Sequence, residues 1–184
     1  MAESFDRIDA DLQAWISRQH IFFIATAPLA GDGFVNCSPK GLDSLRVLDD
    51  HTVAYLDQTG SGVETIAHLK ENGRIVVMFC AFDGPPRIVR LHGRGRVVNP
   101  ADSAFAALAA RFPPREGVRC VITIALERVS DSCGYAVPLM NFVGEREALT
   151  KWTQKKGVDG IIDYQREKNA SSLNGLAGVD WLVG

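Results

Sequence analysis

Residues 53–98 read VAYLDQTGSGVETIAHLKENGRIVVMFCAFDGPPRIVRLHGRGRVV, and the order of strands, turns and helix in them indicates the architecture. A strand-like run ends near Asp57, small and hydroxylated residues follow, and a helical pattern begins at about residue 63. Asn72-Gly73 ends that helix in the usual way. Two apolar runs, 74–82 and 87–98, then succeed each other with only a short turn between them. Adjacent strands joined by short turns predict an antiparallel meander or barrel, not a repeated βαβ sheet.

The flanking segments extend this pattern outward. Strands are predicted at 20–27, 34–38, 44–50 and 118–131. Helical spacing of apolar residues predicts an amphipathic helix over 4–18, and a second, Ala-rich helix is predicted over 100–112. We therefore expect one domain over residues 1–184 that is mainly β with flanking helices. Its parts are an N-terminal helix (1–19), a barrel (20–130) and a C-terminal helical tail (131–184).

Composition excludes several classes of function. The chain has 184 residues and a formal net charge of -2, so no global field attracts nucleic acid or an anionic membrane. The longest apolar runs are far shorter than a membrane span, and the first residues lack a signal-peptide layout. We therefore expect a cytoplasmic protein without nucleic-acid or membrane partners. The four cysteines and four histidines are scattered, which predicts buried reduced thiols and no metal site.

The glycine turn at 58–62 has more than one interpretation. Small residues before a helix start let the backbone approach an anion, and Thr59, Ser61 and Thr65 add hydroxyl groups. Alternatively, the glycines only make a turn and a hydroxyl caps the helix. A dinucleotide site is a third reading, since an acid, Asp83, follows about 20 residues on. Against it, Thr65 occupies the place of the third glycine, and a strand pair follows instead of a second crossover.

Three stretches in order resemble the pyridoxamine 5′-phosphate oxidase-related FMN-binding proteins. They are VNCSPKG (35–41), the 53–98 stretch and GYAVPLMNFVGER (134–146). The resemblance implies a split β-barrel homodimer that binds FMN in clefts between its two chains, with the glycine turn at the phosphate. Carried over by position, it implies these cofactor-binding residues: Ser38, Pro39, Lys40, Gln58, Thr59, Gly60, Ser61, Thr65, Arg87 and Arg90.

The chain departs from the family pattern where that family binds phosphate. The family's Ser-Arg-Lys clamp falls on Val63, Glu64 and Thr65, so both basic residues are lost. We expect Arg87 and Lys40 to supply the missing charge, and Glu64 to point away from the phosphate. The groups that hold substrate phosphate in the true oxidase are absent, since 100–112 offers only Asp102 and Ser103.

The implied function is an FMN-dependent oxidoreductase of unknown small-molecule substrate. No side chain stands out as a catalytic acid or base. Two alternatives stay open: a pyridoxine or pyridoxamine 5′-phosphate oxidase proper, and a non-enzymatic flavin- or haem-binding protein with the same barrel.

Overall fold

The computed structural model describes residues 3–182 as one antiparallel sheet with helices packed around it. The strands are β1 (Glu3–Phe5), β2 (Phe22–Thr26), β3 (Asn36–Lys40), β4 (Leu45–Asp49), β5 (Thr52–Gln58), β6 (Arg74–Cys80), β7 (Ile88–Val98) and β8 (Val118–Ser132). The helices are α1 (Ala10–Ile16), α2 (Glu64–Asn72), α3 (Phe105–Ala109) and α4 (Ala148–Lys168).

Strand order in the sheet is β3-β2-β6-β7-β8-β5-β4, and β1 pairs with the C-terminal part of β8. Every described ladder is antiparallel, as the short turns predict. The two edge strands, β3 and β4, are consecutive in the chain, and residues 41–44 join them. No ladder between these edges is found among the described residues. The antiparallel, mainly β architecture is therefore confirmed, while closure into a barrel remains a prediction.

Period-2 alternation holds along β7. Val89 and Leu91 are fully buried, whereas Arg90 and His92 on the opposite face are only partly buried. The inner face of the sheet packs against α1 and α2 to form the main core, which includes Ile24, Val77, Leu91 and Ile122 among its fully buried residues. Each such aliphatic side chain stabilises the fold by about 1.5–3 kcal/mol relative to an exposed one. This core holds the end of β5 and the start of α2 in place.

Gly93 marks a bulge between β7 and β8. The register shifts between His92 and Gly93, and a Cβ at Gly93 would lie 2.2 Å from the backbone oxygen of Ala125. Only glycine permits so close an approach of the two backbones.

The ends of the chain differ from the sequence prediction. Residues 10–16 are helical, but residues 3–5 form β1 and pair with β8, so the predicted helix over 4–18 is too long. Asp9 starts α1, since its side chain accepts a hydrogen bond from the Leu12 N–H at 2.8 Å. The Ala-rich segment is helical only at 105–109. The predicted helical tail over 131–184 contains no helix before residue 148, and α4 is interrupted at Gly157, whose φ is 67°.

The burial of the cysteines and the length of the helices bear on two further predictions. Cys80 and Cys120 are buried, but Cys37 and Cys133 are exposed, so the prediction of buried thiols holds for only two of the four. Within residues 3–182, no helix combines the length and the apolar character that a membrane span requires.

Candidate functional site

The glycine turn between β5 and α2 is tied to the rest of the protein through its carbonyl groups. Asn169 Nδ2 donates to Gly60 O at 2.9 Å and, more weakly, to Ser61 O at 3.4 Å. Arg119 Nη1 donates to Gly62 O at 2.8 Å. Asn169 and Arg119 are 0% and 4% exposed, so three consecutive carbonyls face a buried donor pair.

The amide groups of the same peptides consequently face the other way. In a trans peptide the C=O of one residue and the N–H of the next are antiparallel, and the described chain has no cis bond. The N–H groups of Ser61, Gly62 and Val63 are therefore directed away from Asn169 and Arg119. Val63 precedes α2 and contributes no side-chain cap. Three amides that point away from these donors, ahead of an uncapped helix start, are the kind of hydrogen-bond donors that helix N-termini offer to an anion.

A buried charge cluster lies directly behind this turn. Asp57, at 1% exposed, contacts Arg119 Nε at 2.8 Å through Oδ2 and Lys40 Nζ at 3.5 Å through Oδ1. Burial alone would raise the pKa of Asp57, but Arg119 and then Lys40 outweigh it and hold that pKa below its usual value. Two cations thus face one carboxylate, and the cluster carries a net positive charge beneath the amides.

Lys40 is positioned by an unusual turn. Leu42 and Asp43, which follow Lys40 and Gly41, have φ values of 60° and 52°, which non-glycine residues adopt rarely. Ser44 Oγ donates to Gly41 O at 2.6 Å, and Arg46 Nη1 and Nη2 bind the Asp43 carboxylate at 2.6 and 2.8 Å. These bonds hold the strained conformation immediately after Lys40.

Lys40 also lines a cavity of about 550 Å³. Its walls come from β3, from the segment before β2 and from residues 140–149. His20 and Phe142 stack in its wall with ring centroids 3.7 Å apart. Small-molecule sites typically have volumes of this size and walls that combine apolar and polar side chains.

The predicted hydroxyl groups divide into two sets. Asn36 Nδ2 donates to Thr65 Oγ1 at 3.0 Å, and Ser38 Oγ donates to Asn36 Oδ1 at 3.0 Å, so Asn36 links β3 to α2. Thr59, by contrast, faces inward. Its hydroxyl donates to Gly117 O at 2.7 Å and accepts from Gln165 Nε2 at 2.6 Å. The structure therefore gives Thr59 a role in holding the turn.

Arg87 and Arg90 lie apart from the turn. Arg87 Nε donates to Asp131 Oδ2 at 2.6 Å, and its guanidinium lies 5.0 Å from the centroid of the Trp15 ring. Arg90 Nη1 donates to Ser132 Oγ at 3.0 Å. None of the described contacts of either arginine reaches residues 58–65. The arginine that contacts the turn is Arg119.

We expected Glu64 to point away from a bound phosphate, and the structure holds its carboxylate close to Gly62 of the turn. Its Oε2 lies 2.6 Å from the position that a Cβ on Gly62 would occupy, so the carboxylate folds back over the turn. Its Oε1 accepts from the Leu173 N–H at 3.3 Å, which draws the side chain toward the C-terminal segment. The positive end of α2 favours the same placement.

Three residues of this site were missed from the sequence: Arg119, Asn169 and Asn36. Arg119 interrupts the apolar run VRCVITIAL, and a charged residue within a buried strand requires a partner. That signal was present in the sequence, although it does not identify Asp57. Asn169 and Asn36 carry no such signal, because their partners lie 109 and 29 residues away.

Comparison with known proteins gives consistent results. A sequence model of the family described as pyridoxamine 5′-phosphate oxidase matches residues 8–133. The Aspergillus flavus pyridoxamine 5′-phosphate oxidase family protein ustO is 38% identical over 194 residues, covering 95% of this chain and 77% of the relative. The structure of HupZ from Group A Streptococcus has a TM-score of 0.51 at 23% identity, over 66% of this chain and 91% of HupZ. A candidate pyridoxamine 5′-phosphate oxidase from Lactobacillus delbrueckii has a TM-score of 0.51 at 21% identity, over 68% and 94% of the two chains.

Proposed function

This chain belongs to the pyridoxamine 5′-phosphate oxidase family, and on that premise we propose that it is an FMN-binding flavoprotein that acts as an oxidoreductase on a small molecule. The observation that carries the proposal is the glycine turn, whose carbonyls are tied inward and whose amides face outward at the start of α2. Such a surface suits a phosphate monoester.

The described residues fit the phosphate end of FMN. The N–H groups of Ser61, Gly62 and Val63 would donate to phosphate oxygens, and Thr65 has a hydroxyl at the start of α2. The Lys40–Asp57–Arg119 cluster supplies positive potential from behind, which offsets the loss of the family's basic clamp. One compact anion site favours a monophosphate over the pyrophosphate of FAD.

The flavin ring would lie on the Lys40 side of the turn. Lys40 borders both the charge cluster and the cavity, so it spans the distance between a phosphate site and a ring site. When bound, the isoalloxazine supplies the redox chemistry, and the protein supplies position and charge. A lysine near the ring favours the negative charge that collects there on reduction.

We also propose that other residues implied by the family resemblance lie around the cofactor in this region. Pro39 lines the cavity, Ser38 is half-buried in the middle of β3, and Gln58 is half-buried at the end of β5. Arg90 shares a row across the sheet with Met78, Phe23 and Pro39. We propose that this row faces a second copy of the chain.

Oxidation of pyridoxamine phosphate itself is disfavoured by the segment before α3. Asp102 accepts from the Asn99 N–H at 2.9 Å and lies 3.5 Å from Arg96 Nη2, so it serves the local turn. The segment presents a carboxylate where a substrate phosphate requires donors or cations.

Identification of the bound cofactor tests this function. Purified protein should show flavin absorbance, and mass spectrometry of the compound released on denaturation should give FMN. Lys40→Met should lower FMN occupancy, whereas Arg96→Met, which changes an exposed strand position, should leave it unchanged. Recovery of FAD as the tight ligand, or failure of the apoprotein to take up FMN, would contradict the proposal.

A further inference from the structure

The C-terminal end of α4 reaches the glycine turn although it is more than 100 residues away in sequence. Asn169 caps α4, and its N–H donates to Gln165 O at 2.9 Å. Its own carbonyl accepts from the Val179 N–H at 2.8 Å, so the backbone of Asn169 is held on both sides. The residue is 0% exposed. The side chain of Asn169 therefore extends toward the turn from a backbone that is held in place.

The orientation of the Asn169 amide is set by Arg119. Arg119 Nη1 lies 3.0 Å from Asn169 Oδ1, and a guanidinium can only donate hydrogen bonds. The oxygen of the amide must therefore face Arg119. The nitrogen must then face Gly60 O and Ser61 O, which can only accept.

We propose that Asn169 is a positioning residue for the phosphate of the cofactor, an inference that rests on the proposed function. Asn169 does not touch the phosphate site through its own side chain. It holds the carbonyls of Gly60 and Ser61 inward, and this turns the N–H groups of Ser61 and Gly62 outward. Glycine permits many backbone conformations, so these peptides would rotate freely without a tether.

The effect on binding is selective for the phosphate. FMN and riboflavin share the isoalloxazine and the ribityl chain, and they differ only in the phosphate. A residue that orients the amides of the turn contributes to FMN binding but not to riboflavin binding. A residue that only stabilises the fold affects the two ligands alike.

The experiment compares the affinity of wild-type protein and two variants for FMN and riboflavin, by fluorescence titration of apoprotein. Asn169→Ala removes all three hydrogen bonds of the side chain. Asn169→Leu also removes these bonds but keeps a side chain of similar volume and adds no charge, so it fills the space that alanine leaves empty. We expect both variants to bind FMN roughly tenfold more weakly, with riboflavin affinity changed by less than about twofold.

Ile161→Val serves as the control, because Ile161 is buried on the same helix and makes no hydrogen bond to the turn. It should leave the ratio of FMN to riboflavin affinity unchanged. Equal losses for the two ligands in the Asn169 variants, or no loss for either, would overturn the positioning role alone. Wild-type protein that binds no FMN would overturn the proposed function and this inference with it.

Discussion

Glu64 is the residue at which the turn departs most clearly from a phosphate site. Its carboxylate folds over Gly62, with one oxygen on the Leu173 N–H. Without a ligand, this carboxylate complements the positive end of α2 and the charge cluster behind the turn. With a phosphate bound, the Glu64 carboxylate and the phosphate would lie within a few ångströms of each other. Glu64 therefore competes with an anionic ligand for the same potential.

At this scale we expect Glu64→Gln to tighten FMN binding by roughly threefold to tenfold, because two unit charges about 4 Å apart repel by ~1 kcal/mol even in water. Glutamine keeps an acceptor for the Leu173 N–H. The matched control is Glu71→Gln at the other end of α2, where the carboxylate accepts from the Leu29 N–H at 2.8 Å. Fluorescence titration at fixed ionic strength measures both. Weaker FMN binding by Glu64→Gln would show that the carboxylate orders the turn instead of opposing the ligand.

The helix α2 joins the turn to the core. Its buried residues are Thr65, Ile66, Ala67, His68 and Leu69. One side of the helix and part of the adjoining side are therefore buried in the protein. His68 is 0% exposed, and its Nδ1 lies 2.9 Å from Thr26 Oγ1 on β2. Its Nε2 has no hydrogen-bond partner among the described residues. A neutral imidazole is therefore built into the contact between α2 and the sheet.

His68 makes the stability of this element depend on pH. Burial lowers the pKa of His68, although Glu64 and Glu71 on the same helix oppose the shift. As the pH falls, His68 is protonated in the unfolded chain before it is protonated in the folded protein. Its contribution to the free energy of unfolding is therefore complete above the unfolded pKa of about 6.5 and is lost as the pH decreases below that value. We expect the free energy of unfolding to decrease from pH 7.5 to pH 5.5, and His68→Gln to reduce that decrease.

Urea unfolding at the two pH values provides the measurement, and His51→Gln is the control because His51 is exposed. If His68→Gln retained the full pH dependence, another group would be responsible.

On the scale of the whole molecule, the outward face of β2 and β6 carries apolar side chains that the rest of the described chain covers only in part. Phe23, Ala25, Val76 and Met78 point outward from β2 and β6 and are only partly buried. The segment after β8 adds strongly exposed apolar side chains, among them Tyr135 at 83%, Leu139 at 79% and Val143 at 98%. Monomeric proteins rarely expose many large apolar side chains of this kind together. A second copy of the chain, as the family resemblance implies, would cover them.

Dimerisation is accordingly expected in solution. Light scattering at micromolar concentration should give the mass of two chains, and Met78→Glu should shift the protein toward the monomer because it places a charge on the outward face. Arg96→Glu changes an exposed position on β7 and should leave the dimer intact. A wild-type monomer with flavin bound would contradict the proposed assembly.

Local signals in the sequence predicted most of the elements and the family, whereas packing between distant segments assembles the candidate site. The β4–β8 runs and α2 follow from local periodicity and turn residues, and these signals are contained within a few residues of each position. The position of the glycine turn between strand and helix was predicted for the same reason. The partners of that turn were not, because Asn169 and Arg119 meet Gly60 and Gly62 only after α4 and β8 have packed behind them. Arg87 illustrates the same limit, since alternation gave its position on the strand but could not show that Asp131 neutralises it. Contacts between distant residues depend on the sum of all packing interactions, and no local pattern records them.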